Sequence, residues 1–221
     1  MNDCTYGRAV SGRHELDYEM RLWQEGLANV AGVDEAGRGS LLGSVVAAAV
    51  ILPQGTFIDG VRDSKTLSAN KREALYDVII DTALACGIGI ADEKTIDEIN
   101  IKQATRLAMR RAVEDLGVKV DHLLVDAEAI PIAIPQTRLF HGDALSHSIS
   151  AASIIAKVTR DRMCDLWHEE YPDYGIAGNK GYCTSEHIDA LLAHGPCPIH
   201  RKSFTRKLLL KHSNLTLDLD L

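Results

Sequence analysis

Aromatic side chains make up only 5% of this 221-residue chain. A platform of stacked aromatics for single-stranded nucleic acid is therefore not expected. Net positive charge is missing too: 24 lysines and arginines stand against 31 aspartates and glutamates, a formal charge of −7. That excludes bulk attraction to a polyanion but not a local basic patch, since patches steer ligands more than totals do. No apolar run is long enough to span a bilayer; residues 41–52 come nearest, and Gly43 and Ser44 interrupt them. The N-terminus, MNDCTYGRAVSGRH, lacks the basic-then-apolar pattern of a leader, so a cytoplasmic protein is expected. No CxxC pair occurs among the five cysteines, which argues for reduced thiols. Cys183, His187, His194, Cys197 and His200 lie close in sequence, but their spacing fits no regular zinc pattern.

What is present is ordinary globular composition, 46% hydrophobic and 25% charged. The length suits one large domain, with or without a small appendage. Residues 1–28 are polar and mixed and read as an N-terminal extension, with a short helix near residues 17–25. Residues 30–33 and 45–52 read as two strands joined by a glycine turn, the second stopped by Pro53. Such a start suggests an antiparallel pair. Ser68 reads as the cap of a helix reaching about residue 85, followed by a short strand over 87–91. Asn100 would cap the next helix, with Ile101, Ala104, Ala108, Ala112 and Leu116 at helical spacing.

HLLVDA, residues 122–127, reads as a compact strand stopping on an acid, and Pro131 and Pro135 mark a loop. Ser148 or Ser150 opens a long helix that must stop near Pro172. A glycine-rich loop over 175–184 leads to a helix capped by Thr184 and closed by Gly195. Residues 29–212 thus read as one domain, and 213–221 as a flexible tail. The expected fold class is α/β, a mixed sheet flanked by helices.

Four acids stand where strand-like segments meet loops: Asp34, Glu35, Asp126 and Asp143. Any one of them is better read as a solvated turn residue. Together they repel one another and call for a cation, and an oxygen-only donor set suits Mg²⁺ or Mn²⁺. One magnesium usually takes one or two carboxylates, so four acids suit two ions, the arrangement of phosphoryl chemistry. Neighbours on a regular strand point to opposite faces, so Asp34 and Glu35 share a site only if the strand bends or one acts through water. Behind them, Gly37, Arg38 and Gly39 form a turn whose glycines let backbone approach a ligand and whose guanidinium suits phosphate or sugar oxygens. Asp63, Ser64 and Lys65 precede a helix N-terminus, where anions bind readily. Lys180 lies beside Tyr182 in the glycine loop, and Arg201, Lys202, Arg206, Lys207 and Lys211 form a basic run without an acid.

GVDEAGRGSLLGSVVAAAVIL resembles the opening motif of the type 2 ribonucleases H, the bacterial ribonuclease HII group. DSKTLS, INIKQATRLAMRRAV, LLVDA, HGDALSHSISAASIIAKVTRDR and YPDYGIAGNKGYCTSEHIDALLAHGPCPIHRKSF resemble the same group in the same order, so the likeness spans roughly residues 30–204. It implies a ribonuclease H-like fold with a small C-terminal helical part. It also implies cleavage of RNA in RNA–DNA hybrids and at single ribonucleotides in duplex DNA, with 5′-phosphate and 3′-hydroxyl products. Asp34, Glu35, Asp126 and Asp143 fall on the family's catalytic, metal-holding carboxylates; Gly37, Arg38, Gly39 and Tyr182 fall on its sensor of the 2′-hydroxyl. Lys65, Lys180 and the Arg201 region would contact phosphates. The expected partners are hybrid and ribonucleotide-containing duplexes, met by a monomer with no membrane and no obligate protein partner.

The chain departs from the usual pattern at five positions. Serines stand at 40 and 44 where prolines are common, Ala127 replaces a glycine, His141 replaces a lysine before Asp143, and Asn179 replaces a histidine. A metal-dependent phosphatase or another nuclease would share an acid cluster, but not the glycine–arginine turn with a downstream KGY. A module that binds hybrids without cutting would lack a carboxylate, and all four are present.

Overall fold

The computed structural model describes residues 14–62 and 64–217. Helix α1 (Asp17–Gln24) leads into strands β1 (Val30–Ala36) and β2 (Val45–Ile51). Helix α2 (Ala69–Thr82), strand β3 (Ala85–Ala91), helix α3 (Glu93–Asp115) and strands β4 (His122–Asp126) and β5 (Gln136–Leu139) follow. The rest is helical: α4 (Gly142–Leu145), α5 (His147–Glu170), α6 (Ile176–Asn179), α7 (Ser185–His194) and α8 (Lys202–Leu217). The strands form one mixed sheet in the order β3-β2-β1-β4-β5. The expected β1–β2 pair is antiparallel, and β1 runs parallel to β4.

β2, VVAAAVI, is buried along its whole length, as suits a strand with a helix on each face. On one face Ala104, Ala108 and Ala112 of α3 pack with Val33, Ala47 and Ala49. On the other, Ala152, Ile155 and Ala156 of α5 pack with Ala48 and Val50. Gly32 allows α5 to start hard against β1: a Cβ there would lie 2.1 Å from the carbonyl carbon of Ser148.

Several boundaries differ from the sequence reading. The helix expected from Asn100 begins at Glu93, because Asp92 caps it by accepting from the Thr95 N–H at 2.8 Å. Asn100 caps its second half across a kink, with φ 66° and its side chain accepting from Lys102 and Gln103. The cap of α5 is Ser146, not Ser148 or Ser150. Ser148 Oγ is taken by Glu19 and Ser150 Oγ by the Asp143 carbonyl, both at 2.6 Å. β5 lies just past the proline loop, where QTRL is too short and polar to show a period. The short helix expected near residue 17 is α1. At the other end, α8 continues to Leu217, into the segment read as tail. Residues 1–13, Asp63 and 218–221 lie outside the described residues. Among the described residues no helix is long and apolar enough to cross a membrane.

Candidate active site

Asp34 and Asp126 leave neighbouring strands side by side, since Val33 pairs with Val125 just before them. Val33 and Val125 both pack on the α3 face, so strand alternation puts the two aspartates on the α5 face. Asp143 is brought beneath them by α4. The N–H of Gly142 donates to Asp126 Oδ1 at 2.7 Å, and Ser150 of α5 donates to the Asp143 carbonyl at 2.6 Å. β1 does not bend at Glu35: its pairing with β2 runs regularly through Ala36. Glu35 therefore arrives from the α3 face, opposite the side to which Asp34 and Asp126 point.

This crowding resists ionisation. Burial pushes the Asp34 carboxyl well above its usual range, and the charges of Glu35 and Asp126 push it further. A hydrogen bond from Ser153 and one from the Glu35 N–H, at 2.7 Å, offset part of this. Burial pushes Glu35 up to about 7; Arg38 opposes the rise, and Asp126 and Glu128 add to it. Lys65, largely exposed, holds its ammonium 3.9 Å from Asp143 Oδ2.

Glu128 was not singled out from the sequence, although a second acid two residues past Asp126 was a signal. It accepts from Arg38 at 2.9 Å and Arg106 at 3.1 Å. Burial raises its pKa, but those two arginines outweigh burial and hold it below the usual carboxylate range. Ala127 between the two acids takes φ 51°, a left-handed turn that glycine adopts at less cost.

Oxygen-only donors with too little cationic charge fit a hard divalent ion. Among the described residues no three acids, histidines or cysteines already converge as ligands.

The turn of Gly37, Arg38 and Gly39 follows β1 directly. A Cβ on Gly37 would lie 1.9 Å from Arg160 Nε, and Gly37 has φ 90°, so this position requires glycine twice over. A Cβ on Gly39 would lie 3.9 Å from Tyr182 Cε1, so the turn and the tyrosine ring are close neighbours. They line a cleft of about 240 Å³ with Glu35, Lys65, Ser153 and Lys157. Lys157, four residues after Ser153 on α5, was missed from sequence. Lys180 is not among the lining residues; its ammonium pairs with Asp165 at 2.5 Å.

Arg201 departs from its expected role. It is fully buried and donates to the carbonyls of Gly37 (2.8 Å), Arg38 (3.0 Å), Ser40 (2.7 Å) and Gly43 (2.8 Å), so no phosphate reaches it. Burial and the charge of Arg160 push it down to about 9, which leaves it protonated at neutral pH. In a trans peptide the carbonyl and the N–H point opposite ways. Carbonyls of Gly37 and Arg38 turned in toward Arg201 thus turn the N–H groups of Arg38 and Gly39 outward. Arg160, equally buried and not singled out from sequence, braces the same loop through the carbonyl of Ser44 at 3.1 Å.

Carboxylates around the end of a mixed sheet, beside a glycine turn braced by buried arginines, define a nuclease of the ribonuclease H-like class. Solved structures share the fold. Ribonuclease H2 from Pyrococcus horikoshii OT3 matches with a TM-score of 0.69 at 28% identity, over 81% of this chain and 96% of that one. Ribonuclease HII from Archaeoglobus fulgidus, solved in complex with PCNA, matches at 0.67 and 25% identity, over 80% and 94%. The ribonuclease HII of Alkaliphilus metalliredigens is 54% identical over 202 residues, 89% of this chain and 99% of that protein. The family model for ribonuclease HII matches residues 31–207. The chain belongs to the ribonuclease HII family and is a ribonuclease H-type endonuclease, a hydrolase that cleaves the RNA strand of RNA–DNA hybrids.

Proposed function

We propose that this enzyme also nicks duplex DNA on the 5′ side of a single embedded ribonucleotide, leaving 5′-phosphate and 3′-hydroxyl ends. The observation that carries this reading is the Gly37–Gly39 turn standing against Tyr182, in a cleft that also includes Glu35. The 2′-hydroxyl is what tells ribose from deoxyribose at one position. The outward N–H groups of Arg38 and Gly39 and the hydroxyl of Tyr182 are a donor set of the right kind to find it. Asp34, Glu35, Asp126 and Asp143 are the proposed catalytic groups and the ligands of Mn²⁺ or Mg²⁺. These four carboxylates would hold a pair of such ions, whose chemistry when bound would be to activate a water and neutralise charge on the departing 3′ oxygen.

The protein's own residues supply the rest. Gly142 and Ser150 fix Asp126 and Asp143 through their hydrogen bonds. Arg38, held by Glu128, covers Glu35. Lys65 and Lys157 line the cleft and are the proposed phosphate contacts; Lys157 reaches a phosphate by releasing Asp161, and Lys180 by releasing Asp165. Phosphate contacts set position and not sequence, so little sequence preference is expected.

Asp126→Asn tests the ligand roles. Turnover should fall by at least about a hundredfold, the scale of removing one preorganised electrostatic group. Mn²⁺ affinity in calorimetry should weaken while circular dichroism stays unchanged. Near-normal turnover in this variant would refute the assignment.

A further inference from the structure

Ser40 stands where the resemblance to the ribonuclease HII pattern leads to an expectation of proline. Its side chain is fully buried. Oγ lies 2.8 Å from the carbonyl oxygen of Gly181 and 2.8 Å from Arg160 Nη2. The Leu42 carbonyl lies 3.0 Å from the same oxygen; the hydroxyl has one proton, which the nearer Gly181 carbonyl takes, and its lone pairs accept from Arg160. Proline could form neither bond. Ser40 directly follows Gly39, and Gly181 directly precedes Tyr182. The Leu41 N–H donates to the same Gly181 carbonyl at 2.8 Å, and Arg160 Nη1 donates to the Lys180 carbonyl at 2.8 Å. The turn and the tyrosine loop are therefore tied by a backbone bond and, beside it, by one hydroxyl and one guanidinium that stand 120 residues apart in the chain. The side chain of Ser44 has no comparable account.

We propose that Ser40 is a positioning residue that sets the gap between the Gly37–Gly39 turn and Tyr182, and through it the preference for a lone ribose. The inference rests on reading that cleft as the ribose detector. Loss of the hydroxyl orphans neither partner. The Gly181 carbonyl keeps the Leu41 N–H, and Arg160 Nη2 keeps the Leu42 carbonyl at 3.3 Å. The effect of Ser40→Ala thus falls on placement more than on stability. A uniform hybrid offers a 2′-hydroxyl at every step and forgives a misplaced detector. A duplex with one ribonucleotide does not.

The test compares kcat/KM on a single-ribonucleotide duplex with kcat/KM on a uniform RNA–DNA hybrid, for the unaltered enzyme and Ser40→Ala. The ratio should fall about tenfold in the variant, the scale of one hydrogen bond. The midpoint of a Mn²⁺ titration should hold. If Ser40→Ala does not fold, the near-isosteric Ser40→Cys, a poor donor and acceptor, takes its place with the same expected loss. An unaltered enzyme that prefers ribonucleotide duplex beside a variant with the same preference overturns this proposal alone. An unaltered enzyme that cuts all-DNA duplex equally well overturns the detector reading, and this proposal with it.

Discussion

Asp34 and Glu35 are adjacent acids that both resist ionisation in the folded protein. A carboxyl raised on folding favours the folded state at low pH, and that contribution is lost as pH rises through the folded value. For Glu35 the loss runs from the ordinary glutamate range up to about 7. Without divalent ions, Glu35→Gln should therefore be more stable than the unaltered protein at pH 8, by on the order of 2 kcal/mol, and nearly equal to it at pH 5. Chemical denaturation in a chelator measures this, and equal stability at pH 8 would count against a strained Glu35. The acids were legible because a charge ending an apolar strand is visible in sequence. Arg160 and Arg201 were not. Sequence records their charge but not their burial, which is set by carbonyls of a loop more than a hundred residues away.

Helix α1 packs Tyr18, Leu22 and Trp23 on the cluster around Ile149 of α5, and Glu19 hydrogen-bonds to the start of α5. Glu19 is buried, and its Oε1 accepts from Ser146 Oγ (2.6 Å), Ser148 Oγ (2.6 Å) and the Ser148 N–H (3.0 Å). An anion at a helix N-terminus meets the positive end of the dipole. Glu19→Ala leaves those donors buried and should cost about 2–4 kcal/mol. Because the same first turn of α5 holds the Asp143 carbonyl, turnover should fall as well. Urea unfolding with parallel kinetics checks this, and unchanged stability would contradict the latch. The length of α5 could be read from its apolar spacing. Which of three serines caps it could not, since each is a competent cap and the fold directs Ser148 to Glu19 and Ser150 to the Asp143 carbonyl. The opening turns of α3 were missed for a related reason: the kink at Asn100 breaks the period that would have joined them to the rest.

At the scale of the whole molecule, β1 is the organising strand. It pairs antiparallel with β2 through a local connection, which sequence reveals. It pairs parallel with β4 across ninety residues, which sequence does not. That second pairing puts Asp34 beside Asp126 and turns separate strand-end acids into a site. In a chain of net charge −7, Arg38, Lys65 and Lys157 line one cleft, Arg38 and Lys157 each paired with a carboxylate.

The proposed detector makes this cleft cut where it finds a ribose. Initial-rate cleavage, with Mn²⁺ or Mg²⁺, of two duplexes identical except for one ribonucleotide decides it. A single nick on the 5′ side of the ribonucleotide is expected, with no detectable cutting of the all-DNA duplex. Equal cutting of both would contradict it.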